Sequence, residues 1–162
     1  MVQEDNDLRF WVHPDARFIL RAAVILLHGD NVLVTPETGD AQRYKLPGGA
    51  VKFGESGVVA AKRELREELR LTDVELIPAG TVEAFYKFNG ADIHQIILAS
   101  RAQLTDTQAA AVTRLDLTTV GLDSDTKLAW LPVSQVRERL LPDALGALLS
   151  AAIPYQHGVS YR

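Results

Sequence analysis

The chain has 162 residues, 47% hydrophobic and 23% charged, with a formal net charge of −4. That balance predicts an ordinary globular protein, one domain over residues 1–162 with a core of its own. No apolar run approaches the ~20 residues needed to span a bilayer, and the lack of cysteine excludes disulfides and thiolate metal sites.

The start, MVQEDNDLRFW, is acidic and lacks the basic flank and apolar centre of an export signal, so a cytoplasmic setting is expected. No block of Lys or Arg marks a nucleic-acid groove, which argues against polymeric nucleic acid as a partner. A small phosphate ligand stays compatible with the negative charge, because a bound divalent cation supplies positive charge locally.

Phe18 to His28 (FILRAAVILLH) is an apolar, β-rich run. Gly29-Asp30-Asn31 breaks it and Val32-Leu33-Val34 resumes it, which predicts a β-hairpin. The polar stretch from Pro36 to Arg43 predicts a loop into Tyr44-Lys45-Leu46-Pro47-Gly48-Gly49. A short strand around Val51–Phe53 and a helix from about Ser56 to Leu69 follow. Val74 to Phe88 has strand character, interrupted near Pro78-Ala79-Gly80. Asn89-Gly90 signals a type I′ turn that pairs Thr81–Phe88 with Asp92–Ser100.

The pattern from Arg101 to Asp125 is weak and predicts a loop or insertion with one helical turn. Leu128 to Pro132 predicts a final short strand. Ser134 is placed to N-cap a helix ending before Pro142, and Asp143 to cap another running to about Ala152. Strands interleaved with two or three helices imply an α/β fold, a mixed β-sheet between helices.

Most of the functional information lies in Gly49 to Leu71, GAVKFGESGVVAAKRELREELRL. In a helix, Glu64, Glu67 and Glu68 fall at i, i+3 and i+4 and share one face. Leu65 and Leu69, with Val58 and Ala61, form an apolar stripe on another. Like charges at i, i+4 destabilise an isolated helix by roughly 0.2–0.5 kcal/mol per pair. Such a penalty points to a cation that relieves it.

This segment resembles the signature of the Nudix hydrolases, enzymes that cleave nucleoside diphosphates linked to another group. Their pattern is a glycine, five residues, a glutamate, seven residues, then Arg-Glu-apolar-any-Glu-Glu-any-Gly-apolar. Gly49, Glu55, Arg63, Glu64, Leu65, Glu67, Glu68 and Leu71 all fill their places, and Arg70 stands where the family has glycine. Leu46-Pro47-Gly48-Gly49 and Trp130-Leu131-Pro132 extend the likeness, so that it covers roughly residues 18–140. The resemblance implies a Nudix-like α/β/α sandwich and metal-dependent hydrolysis of a pyrophosphate bond in a nucleoside diphosphate derivative, such as a nucleoside triphosphate. The substrate is expected to be a small nucleotide, and the protein a monomer or homodimer.

Pyrophosphate hydrolysis calls for divalent cations on the phosphate oxygens and a base for water. Mg²⁺ favours a few carboxylates and retained waters. The resemblance implies Mg²⁺ or Mn²⁺ on Glu64, Glu68 and the Gly49 carbonyl, with Glu67 binding metal or taking the water's proton. It makes Arg63 an orienter of these glutamates, against the plainer expectation of an i, i+4 pair with Glu67. It makes Glu55 a support near the metals, against an ordinary acid at a helix N-terminus.

Outside the signature, His94 is expected at the surface or satisfied in the fold, on the face opposite Ile93. Glu83 on the facing strand and Asp125 before Trp130 are further acidic candidates, with Asp116 and Asp123 competing. Tyr44, Phe85, Tyr86 and Phe88 are candidates for stacking on a base, although strand aromatics more often fill a core. The rival functions are a Nudix-fold nucleotide-binding sensor without turnover and a hydrolase of a nucleotide sugar, ADP-ribose or a dinucleoside polyphosphate. The presence of all four signature glutamates favours an enzyme.

Overall fold

The computed structural model describes residues 6–37, 39–116, 127–150 and 154–162. Among the described residues nine strands form one mixed sheet: β1 (Arg9–His13), β2 (Ala16–His28), β3 (Asn31–Glu37), β4 (Asp40–Lys45), β5 (Gly48–Ala50), β6 (Ile77–Phe88), β7 (Ala91–Gln103), β8 (Ala129–Pro132) and β9 (Gln156–Tyr161). The helices among the described residues are α1 (Gly57–Leu69), α2 (Asp106–Thr113), the single turn α3 (Val133–Val136) and a 3₁₀ helix, Asp143–Leu149. The sheet runs β4-β3-β2-β7-β6-β9, with β1 and β5 also on β2 and β8 on β3.

The centre is the parallel pair β2–β7, in register from Ala16 against Asp92 to Leu27 against Gln103. Parallel pairs need cover on both faces, and the strand alternation provides it. Ala22, Val24 and Leu26 of β2 pack with Leu65 and Leu69 of α1 and Val112 of α2. Ala23, Ile25 and Leu27 pack on the other face with Val136, Leu140, Leu145 and Leu148. The expected α/β sandwich is therefore the observed one.

Both expected hairpins form where turn chemistry is strongest. Leu27–Val32 and His28–Asn31 pair around Gly29-Asp30, and Phe88 pairs with Ala91 around Asn89-Gly90. Asn89 and Gly90 take φ of 49° and 81°, the left-handed geometry of that turn. The interruption near Pro78–Gly80 is a register shift between Pro78 and Gly80.

Other expectations need correction. The supposed loop from Pro36 to Arg43 is the β3–β4 hairpin, whose polar residues suit a sheet edge and so hide the strand. The short strand before the helix is Gly48–Ala50 rather than Val51–Phe53, because its glycines pair with Ala22 and Ala23. The weak region contains α2, two turns fixed by a capping box in which Thr105 and Gln108 satisfy each other's backbone N–H. Ser134 does not cap α3, which follows Pro132 with no side-chain cap, and Asp143 is the first residue of a 3₁₀ helix. β1 and β9 were not foreseen: both are peripheral strands, and β9 is polar with a glycine.

Candidate active site

Ser56 starts α1 in extended geometry (φ −77°, ψ 163°), and its hydroxyl accepts from the Val59 N–H at 3.2 Å. Ala60, Ala61, Leu65 and Leu69 bury the apolar stripe against the sheet. That docking fixes the rotation of the helix, and so turns Glu64 towards β5. Glu64 itself is buried, 9% exposed.

Arg63 is the hub. Its Nε–H and one Nη2–H grip the Glu55 carboxylate at 2.7 and 2.9 Å. Nη1 donates to Glu64 Oε1 at 2.6 Å and to Glu67 Oε2 at 3.3 Å, while Nη2 also donates to the Ala50 carbonyl at 2.9 Å. These bonds use the full donor capacity of a guanidinium. The plain i, i+4 contact with Glu67 is the longest of the five.

Glu55 is not a capping acid. Its second oxygen accepts from the Lys52 N–H at 2.9 Å. Hydrogen bonds from Arg63, with the Lys52 N–H assisting, hold the Glu55 carboxyl at about 2, well below the usual carboxylate range. The same bonds with Glu55 push the Arg63 guanidinium up.

Glu68 is in the opposite situation. Burial, and then the charge of Glu64, push its carboxyl up to about 7, with Arg21 opposing the rise. Arg21 lies on β2, opposite Ala50 of β5 and Ile97 of β7. Glu67 keeps half of its side chain exposed.

Gly49 supplies closeness. A Cβ at this residue would stand 2.3 Å from Glu64 Oε1 and 2.4 Å from its Cδ. Only a residue without a side chain lets the main chain pass so near that carboxylate. Carboxylate and carbonyl oxygens are the donor set of a hard divalent cation, so these residues fit one. Among the described residues no three acidic or histidine side chains already form a closed cage.

Arg70, the residue that departs from the signature, takes the left-handed cap geometry itself (φ 55°, ψ 23°), and its N–H reaches the Leu65 carbonyl. This is the geometry that a glycine adopts without strain and a residue with a side chain does not.

Among the described residues, several outlying candidates have other surroundings. Glu83 pairs with His157 at 2.7 Å. His94 is exposed and lies between the rings of Phe85 and Phe18, at 4.4 and 5.7 Å. Phe85 stacks on Tyr161 at 5.0 Å, and Tyr44 is core. Phe88 is exposed. Asp123 and Asp125 lie outside the described residues. Sequence reasoning missed Arg21. Its signal was a charged residue amid the apolar run Phe18–His28.

The NUDIX domain model matches residues 18–149. The chain belongs to the Nudix hydrolase family. Members of the family act on nucleoside diphosphate derivatives and generally use divalent metal ions. Solved Nudix structures share its fold. A MutT protein from Bacillus halodurans is similar with a TM-score of 0.58 at 20% identity, over 86% of this chain and 88% of that one. A mutT/nudix family protein from Listeria innocua gives 0.57 at 24% identity, over 80% and 88%. The dihydroneopterin triphosphate pyrophosphohydrolase of E. coli gives 0.58 at 18% identity, over 80% and 91%. No curated protein matches the chain in sequence. Among the described residues no helix is long and apolar enough to cross a membrane.

Proposed function

We propose that this Nudix hydrolase cleaves a pyrophosphate bond in a small nucleoside diphosphate derivative, such as a nucleoside triphosphate, with Mg²⁺ or Mn²⁺ as its metal. The observation that carries this is the contrast around Arg63: Glu55 is held by Arg63 and the Lys52 N–H, whereas Glu68 is crowded by the buried Glu64 in a partly buried position. A cation is what such a cluster lacks.

In this reading Glu64, Glu68 and the Gly49 carbonyl hold the metal. The ion, when bound, neutralises phosphate oxygens and lowers the pKa of a water. Glu67, half exposed and only weakly held by Arg63, is free either to add a ligand or to accept the proton of the attacking water. Arg63 positions Glu64 and Glu67 and does not touch substrate. Glu55 fixes Arg63 in turn.

The test is a panel of nucleotides assayed for phosphate or pyrophosphate release, with Mg²⁺, with Mn²⁺ and with excess chelator. Hydrolysis should require the metal. Full activity in chelator would remove the carboxylate cluster from the mechanism. Binding of a nucleotide with no turnover across the panel would favour a sensor instead.

A further inference from the structure

The two arginines beside the carboxylates are used very differently. Arg63 spends five hydrogen bonds within the fold. Among the described residues Arg21 spends one, from Nη2 to the Leu46 carbonyl at 3.1 Å. Among the described residues its Nε and Nη1 make no hydrogen bond, and the residue is only partly buried.

Arg21 also has the right neighbours. It stands opposite Ala50, whose carbonyl Arg63 binds, and one residue from Ala22, the partner of Gly49. Burial strips away part of its hydration, and the opposing charges that act on it most are Glu68 and then Glu64. A guanidinium with spare donors beside a cation site has the geometry for a shared anion. The strand register puts Arg21 on one sheet face with Ile97 and Gln95 of β7 and Tyr86 of β6.

We propose that Arg21 is a phosphate-binding residue of this enzyme, its unpaired guanidinium donors taking non-bridging oxygens of the substrate's diphosphate next to the metal-holding carboxylates. This rests on the hydrolase reading for its ligand, although not for its test. In the free protein Arg21 serves as a counter-charge to Glu68. With the carboxylates occupied by metal, that charge is available to the phosphate. A guanidinium grips two oxygens at once, which an ammonium cannot do.

The experiment is calorimetric titration of inorganic pyrophosphate into the Mg²⁺-loaded wild type, Arg21→Lys and Arg21→Met, with Mg²⁺ alone titrated into each in parallel. Arg21→Met removes the charge and keeps the aliphatic stem, and circular dichroism checks that it folds. Pyrophosphate should bind at least about 10-fold more weakly to Arg21→Met and a few-fold more weakly to Arg21→Lys. Mg²⁺ alone should bind both at least as tightly as the wild type, because a neighbouring cation has been removed or made more mobile. If Arg21→Met does not fold, Arg21→Lys carries the same comparison.

Pyrophosphate affinity within two-fold in the folded variants would overturn the proposal. So would a parallel loss of Mg²⁺ affinity, which would make Arg21 only a prop for Glu68. Arg21-dependent pyrophosphate binding in a protein that hydrolyses no nucleotide would overturn the catalytic reading and leave this one standing. For any nucleotide that is hydrolysed, Arg21→Lys should raise KM with kcat within a few-fold, the mark of binding shared by ground and transition states.

Discussion

The two ends of helix α1 carry similar residues in opposite electrostatic states. Before its start Glu55 is gripped by Arg63, which reaches back from the middle of the helix, and the Lys52 N–H and Ala50 carbonyl complete the set. Towards its end Glu68 sits against Glu64 with its carboxyl raised to about 7. One end is finished by folding alone. The other is left in a state that only a further positive charge resolves. The difference teaches that a glutamate's role follows from what the fold leaves undone around it, not from its place in a motif.

The strongest way to break this comparison is to remove the hub. Arg63→Ala would leave Glu55 and the buried Glu64 without their partner, and breaking a buried ion pair costs about 3 kcal/mol or more. Urea denaturation should show that loss, and hydrolysis should fall with it because Glu64 and Glu67 lose their orientation. A variant with wild-type stability would show that the start of the helix does not depend on Arg63.

Next is the unfinished end. Glu68→Gln should lower turnover at least about 100-fold, since a group that helps to neutralise transition-state charge is gone. It should also raise metal-free stability by a few tenths of a kcal/mol through relief of repulsion with Glu64. Mg²⁺ should raise the melting temperature of the wild type more than that of the mutant. Equal metal-induced shifts with retained activity would leave Glu68 a solvated helix residue.

The pH dependence of metal-free stability sharpens the contrast, because the two ends titrate with opposite sign. Glu68 is raised from 4.5 to about 7 on folding. Its stabilising contribution is complete below about pH 4.5 and is lost as pH rises through about 7. Glu55 is lowered from 4.5 to about 2, so its contribution is present above about pH 4.5 and is lost as pH falls through about 2. Melts in chelator should therefore show a decline from about pH 5 to 8 that Glu68→Gln flattens and Glu55→Gln does not. An identical decline in Glu68→Gln would place its origin elsewhere.

The smallest effect is expected at Arg70. A non-glycine residue in left-handed geometry costs about 1 kcal/mol, and glycine in the same place gives back part of that through chain entropy. Arg70→Gly should gain at most about 1 kcal/mol in denaturation and keep kcat within a few-fold. A loss on the order of 100-fold would bring Arg70 into the site.

What the sequence disclosed, and what it hid, follows from range. The helix, its cap region and the Asn89-Gly90 hairpin are local, written in spacing and turn chemistry, and they were legible. The spacing also told that Glu64, Glu67 and Glu68 share a face. It could not tell that Glu64 is buried and Glu67 half exposed, because that depends on how Leu65 and Leu69 seat the helix on β2. Strands β4 and β9 carry polar residues at sheet edges, where pairing owes little to side-chain pattern. Arg21 looked like an interruption in an apolar run. Only β5, lying alongside β2, brings it to the carboxylates.

Gly49 has a consequence for how this chain can change over generations. Its neighbour Gly48 is held by backbone, since a Cβ there would meet the Ala22 carbonyl oxygen at 2.0 Å. At Gly49 the obstacle is one side chain, Glu64, whose carboxylate is pinned by Arg63 at 2.6 Å. Positions 49 and 64 are thus bound into a single evolutionary unit, in which the fate of a substitution at one depends on the residue at the other. An alanine at 49 pushes the Glu64 carboxylate from its place against Arg63, and a shorter acid at 64 makes room only by withdrawing the oxygen that the site needs. The path between the two genotypes crosses a valley.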